Sequence, residues 1–172
     1  MTHKRTGSFA AGCLALLLML SSFRLLLPFS AAAADADLAG YAAEIVAAQS
    51  GGNEIQAWVD SVLTPSAGQS ASDFFVMAIA AQGGCDLSGY GSALQTAMQQ
   101  TTIASATSRE RSALALLACN PSASDSCNAV LDANADALGI MSRVFGLHLL
   151  NNGVPSSRFT NTGLVGELIG LQ

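Results

Sequence analysis

Charge and aromatic rings are both scarce in this chain. Only 11% of its 172 residues are charged and 6% are aromatic. Lysine occurs once, at Lys4, and tryptophan once, at Trp58. Long polar tracts are missing, which argues against an intrinsically disordered chain. The compositions of collagen, mucins and coiled coils are missing too. Small apolar side chains fill the space instead: 51% of residues are hydrophobic, and 31 residues are Ala. The length suits one domain.

The hydrophobicity is unevenly placed. His3, Lys4 and Arg5 precede an apolar run from Phe9 to about Phe29, and Ala31, Ala32, Ala33, Ala34, Asp35 and Ala36 follow. A positive start, an apolar stretch and a small-residue cleavage site predict a secretory signal peptide over residues 1–34, cut after Ala34 or Ala36. A retained membrane anchor is the competing reading, because the run nearly reaches spanning length. Cleavage removes Lys4, Arg5 and Arg24. Four Arg then face all 12 acidic residues, and the formal net charge moves from −5 to 4 − 12 = −8. So acidic a chain is repelled by phosphate backbones, which excludes nucleic acid as a partner. It also has no polybasic patch for anionic lipid. The expected address is secreted or cell-surface, with no membrane span after cleavage.

Export permits disulfides, and Cys85, Cys119 and Cys127 lie in the mature part. Cys119 and Cys127 flank the turn Asn120-Pro121-Ser122, so a bridge between them is predicted, worth roughly 2–3 kcal/mol for so short a loop. Cys85 is then unpaired. Two buried thiols in a helical core are the alternative.

The mature part reads as all-α. Turn-forming residues cluster at Gln49–Asn53, Thr64–Ser72, Gly83–Gly91, Thr101–Ser108, Asn120–Ser126 and Asn151–Thr162. Stretches of helical length separate them, about eight helices in all. Ser70-Ala71-Ser72-Asp73, Ser122-Ala123-Ser124-Asp125 and Thr107-Ser108-Arg109-Glu110 read as helix starts of the capping type. Pro121 and Gly153 fall just past expected helix ends. Strand-like alternation is not sustained anywhere. Three stretches, beginning at Val76, Ala113 and Phe145, are apolar nearly all round and are spaced 37 and 32 residues apart. Such helices must be buried on several sides. Amphipathic segments such as Tyr90–Gln100 fall between them, so stacked hairpins with an inner and an outer layer are expected.

The order of motifs resembles a family. Ile55-Gln56-Ala57-Trp58-Val59-Asp60-Ser61-Val62-Leu63-Thr64 is followed by Ser72-Asp73-Phe74-Phe75, then by Thr107-Ser108-Arg109-Glu110-Arg111-Ser112-Ala113-Leu114-Ala115. The most specific block is last: Gly139-Ile140-Met141-Ser142-Arg143-Val144-Phe145-Gly146-Leu147-His148-Leu149-Leu150-Asn151-Asn152-Gly153. Over nearly all of the mature part, this is similar to secreted bacterial proteins of the terpenoid cyclase/prenyltransferase α/α-toroid superfamily. The resemblance implies an outer ring of helices around an inner ring, with an axial cavity. It also implies a ring of twelve helices, so residues 35–172 are expected to form a partial, open toroid, the N-terminal part of a longer one.

The family's chemistry is tested residue by residue. The D-x-D-D acid of class II cyclases is missing; Asp35-Ala36-Asp37 is incomplete and lies at the cleavage site. Prenyltransferases hold zinc with Asp, Cys and a distant His. Asp125-Ser126-Cys127 spells the first part, but His148 follows too soon, and Asp125 reads as a first-turn helix carboxylate. Asp132-Ala133-Asn134-Ala135-Asp136 begins like a calcium loop, yet Ala137 replaces its Gly and Arg143 occupies the place of its final Glu. No G-x-S-x-G nucleophile motif is present. His148 sits between Leu147 and Leu149 and reads as a core or cavity-lining histidine. Arg109, Arg111 and Arg143 are expected to pair with Glu110, Asp132 or Asp136 and so join hairpins; Arg143 is also a candidate for lining a cavity.

These readings point to a non-catalytic secreted or cell-surface binding domain on a toroid-like scaffold, without cofactor or metal. Its partner would be a small apolar ligand or a protein, and self-association is expected from unpaired inner helices. The competing reading is the N-terminal part of an isoprenoid cyclase or prenyltransferase whose catalytic residues lie beyond residue 172.

Overall fold

A computed structural model describes residues 32–100, 103–137 and 139–170, with side chains from residue 40 onward. The predicted signal peptide, residues 1–34, lies outside them apart from its last three residues. Among the described residues the chain forms eight α-helices and no strand. They are α1 (Ala32–Ser50), α2 (Ile55–Trp58), α3 (Ser70–Gln82), α4 (Ser88–Gln99), α5 (Ala106–Cys119), α6 (Ser124–Ala133), α7 (Ile140–Asn151) and α8 (Asn161–Gly170). None of them is long and apolar enough to cross a membrane.

Helix boundaries follow local chemistry, though not always at the motifs named above. α2 continues through a wide π turn, Val59–Leu63, into a 3-10 turn, Thr64–Ser66. The wider turn keeps both Val59 and Leu63 buried. α5 begins at Ala106 because Ser105, not Thr107, accepts the N–H of Ser108 at 3.1 Å. Asn120 likewise accepts the Ser122 N–H at 3.0 Å and starts the turn into α6. Asp73 lies in the first turn of α3, as expected, whereas Glu110 falls beyond the first turn of α5, and both are buried. The expected stop at Gly153 is present: with φ +83° it lets Val154 N–H reach Leu149 O at 3.1 Å and Gly153 N–H reach Leu150 O at 3.0 Å. That pair of bonds satisfies the last carbonyls of α7.

Helices α1, α3, α5 and α7 form one row, each packed on the next. α5 lies at the centre, with α4 and α6 also against it, and α8 packs on α7. α3, α5 and α7 contain the three stretches that are apolar nearly all round. Val76, Ala113 and Leu149, one from each, are fully buried. Burying a side chain the size of Leu or Val contributes roughly 1.5–3 kcal/mol. Small residues let helices approach where the row meets the outer helices. A Cβ on Gly91 of α4 would lie 3.3 Å from Cys119 Cβ of α5, and one on Gly146 of α7 only 3.2 Å from Leu131 Cδ1 of α6. Cores packed this tightly register the addition of one methyl group.

Candidate functional site

Two buried polar clusters interrupt the apolar row. The first is centred on Asp73 of α3, which is 0% exposed. Its Oδ1 accepts the Tyr90 hydroxyl of α4 at 2.6 Å and the Gly68 N–H at 3.2 Å. Its Oδ2 accepts Arg111 Nε at 2.9 Å and the Ser112 hydroxyl at 2.7 Å, both from α5. Arg111 Nη2 donates to Gly68 O at 3.0 Å. Burial, then the charge of Asp73, push the Tyr90 phenol well above its ordinary range, so it stays a donor. Four donors fill the carboxylate, which leaves it no lone pair for a substrate. Chemically this is a tie among three helices. Arg111 therefore joins α5 to α3 through Asp73, not through the acidic residues named from the sequence.

The second cluster lies where α5 meets α7. Glu110 is 1% exposed. Its Oε1 accepts the Ser142 hydroxyl at 2.8 Å, while Oε2 is buried without a hydrogen-bond partner. Burial pushes this carboxyl up to about 7, against the opposing pull of the Ser142 bond and the Arg143 charge. Arg143 is 9% exposed. Its Nε donates to Glu167 of α8 at 2.5 Å, its Nη1 donates to Ala137 O, and its guanidinium lies 5.6 Å from the Phe159 ring centroid. Glu110 was among the partners expected for the arginines, and the Arg143 charge does act on it, but its bond to Ser142 and the Arg143–Glu167 pair were not legible. The signal that was there is a charged residue inside an otherwise apolar helix.

The remaining sequence candidates are dispersed. His148 is half-buried in the last turn of α7, and burial lowers its affinity for a proton. Five residues along a helix place it about 140° around the axis from Arg143, so the two face different sides. The predicted Cys119–Cys127 disulfide is not formed: Cys85, Cys119 and Cys127 are all free thiols. The reason is their surroundings. Cys127 Sγ donates to Ala113 O of α5 at 3.2 Å, whereas Cys119 packs on Gly91 of α4. Burial pushes the Cys119 and Cys127 thiols up to about 12 and about 11.

Asp125 is exposed at the start of α6. Asp132 accepts the hydroxyls of Ser156 at 2.5 Å and Ser157 at 2.7 Å, bonds that hold it down to about 2. It ties α6 to the loop before α8. Asp136 pairs with Arg158 on the surface at 3.2 Å. Arg109 donates to Ile103 O at 2.8 Å. The expected partners of the arginines are thus corrected: Arg111 pairs with Asp73 and Arg143 with Glu167, while Asp136, one of the partners expected for them, pairs with Arg158. Among the described residues, no three His, Cys, Asp or Glu side chains gather as a metal site.

One surface stands out. Ile140 and Met141 at the start of α7 are 54% and 46% exposed, and Val165 and Ile169 of α8 are 36% and 65% exposed. Arg143 meets Glu167, and Gly146 faces Leu164 at a would-be Cβ distance of 3.4 Å, so α7 and α8 run antiparallel. That pairing brings Ile140 and Met141, at the start of α7, to the same end of the helix pair as Ile169, near the end of α8. Comparison with protein-family models, with curated proteins and with solved structures finds no match, so no relative's activity is carried over to these residues.

Proposed function

We propose that the protein is an exported, non-catalytic helical binding domain and that its α7–α8 edge is the contact surface. The observation that carries this reading is the exposed apolar set Ile140, Met141, Val165 and Ile169 at one end of the row. Exposed apolar groups of this kind mark interaction surfaces. The charged groups nearby are spent internally, Arg143 on Glu167 and Arg158 on Asp136. The edge therefore offers shape and apolar area, which suits a protein partner better than an anionic small molecule. The alternating row of α1, α3, α5 and α7 with its flanking helices supports a partial α/α-toroid arrangement. In such an arrangement α7 takes a further helix on its open side, as α5 takes both α3 and α7. A second copy of the chain is the partner this reading assigns to that edge.

Sedimentation at increasing concentration tests the reading. Self-association is expected, and the double substitution Val165→Lys with Ile169→Lys is expected to abolish it without loss of helical content. A concentration-independent monomer overturns the edge as a contact surface. Conversion of an isoprenoid diphosphate by the purified chain overturns the non-catalytic reading.

A further inference from the structure

Arg143 interacts with two carboxylates, one by direct contact and one through its charge. Its Nε is 2.5 Å from Glu167 Oε2 on α8, and its charge also acts on Glu110 of α5. Glu110 already touches the same turn of α7 through Ser142, the residue before Arg143. Its second oxygen, Oε2, is buried and unpartnered. Glu167, by contrast, keeps 46% of its side chain exposed. A half-exposed ion pair is weak and screened by salt. A buried carboxylate without a counter-charge is far more costly. The guanidinium therefore has more to gain from Glu110 whenever Glu110 is charged.

No other charged group around Glu110 competes, among the described residues. On α3, Asp73 is matched by Arg111, and the only titratable group of α4, Tyr90, is bound to Asp73. On α6, Asp125 is exposed and Asp132 is held by Ser156 and Ser157. On α5 itself, Arg109 is engaged with Ile103 O. On α7, His148 faces away from Arg143. α8 is meanwhile lightly held, since Leu164 is its one buried residue.

We propose that Glu110 and Glu167 compete for Arg143, and that ionisation of Glu110 draws the guanidinium inward and releases α8 from the end of the stack. The end helix is then a proton-controlled cover: docked when Glu110 is neutral, loosened when it is charged. The raised proton affinity of Glu110 places the change near neutral pH.

Hydrogen–deuterium exchange of the full chain, read on peptides of α8 at pH 5.5 and pH 8 and divided by the intrinsic rate at each pH, tests this. α8 is expected to exchange roughly 10-fold faster at pH 8, and at that pH to exchange well ahead of peptides of α3 and α4, as a local opening requires. Glu110→Gln keeps an acceptor for Ser142 and is expected to hold α8 protected at both pH values. Glu167→Gln removes the docked partner and is expected to leave α8 open at both. Equal protection of wild-type α8 at the two pH values overturns the proposal. So does a pH dependence that survives Glu110→Gln, or an α8 that exchanges no sooner than α3 at pH 8.

Discussion

Asp73 and Arg111 are 38 residues apart in the chain and 2.9 Å apart in the fold, with side chains 0% and 8% exposed. Their contact sets the register between α3 and α5, because Ser112 and Tyr90 converge on the same carboxylate. Removing one partner strands the other in the core. Asp73→Ala is expected to destabilise the protein by about 3–5 kcal/mol. Urea titration followed by circular dichroism measures it. A loss below about 1 kcal/mol, the range of a surface pair, would show that the cluster does not hold the helices together.

Glu110 makes stability depend on pH with a definite sign. Its proton affinity rises from the ordinary 4.5 to about 7 in the folded chain. The folded state therefore holds the proton through a window in which the unfolded state has released it. Stability contributed by the neutral form is present in full at acidic pH and is lost as pH climbs from about 4.5 through about 7. The difference is on the order of 3 kcal/mol. Glu110→Gln mimics the neutral acid, so the variant is expected to melt above wild type at pH 8 and alongside it at pH 5. Thermal melts across that range provide the comparison, and parallel curves would contradict it.

Gly68 combines two demands on one residue. Its φ is +88°, and an added Cβ would lie 2.9 Å from Ile103 Cδ1. Its N–H and carbonyl also serve Asp73 and Arg111. Gly68→Ala is expected to destabilise by about 1–3 kcal/mol through overpacking, with backbone strain in addition. Gly89, in α4, has open space around a new Cβ and an ordinary φ. Gly89→Ala is expected to stabilise by about 0.4–1 kcal/mol, because it restricts the unfolded chain. Opposite signs in one denaturation series would separate conformational need from mere occurrence of glycine.

The thiols give a chemical prediction. Alkylation without reductant, under denaturing conditions, is expected to label Cys85, Cys119 and Cys127 alike. In the native protein Cys119 and Cys127 are expected to react slowly, since burial keeps both protonated. Mass spectrometry of peptides resolves the three sites. A peptide pair joined through Cys119 and Cys127 would refute the free-thiol arrangement.

Much of the fold is readable from residue order. Turn-formers punctuate the chain, and apolar stretches at Val76, Ala113 and Phe145 identify α3, α5 and α7 as the buried row. Gly153 and Pro121 mark stops because their backbones favour them locally. Asp73 and Glu110 illustrate the limit. Each follows a Ser or Thr at capping distance, so local pattern assigns it to a helix start. Ser105 takes the cap of α5 instead, and both carboxyls turn into the core to meet partners supplied by other helices.

By itself the sequence determined the helical class, the alternation of all-round apolar and amphipathic helices, and the acidic charge balance. Those depend on composition and on near neighbours in the chain. Only the tertiary structure decided which carboxylate meets which cation, that Cys127 faces Ala113 rather than Cys119, and that Glu110 is left with an unpartnered oxygen. Such pairings join residues 14 to 38 positions apart. They are chosen by how helices stack, and no local periodicity encodes that choice.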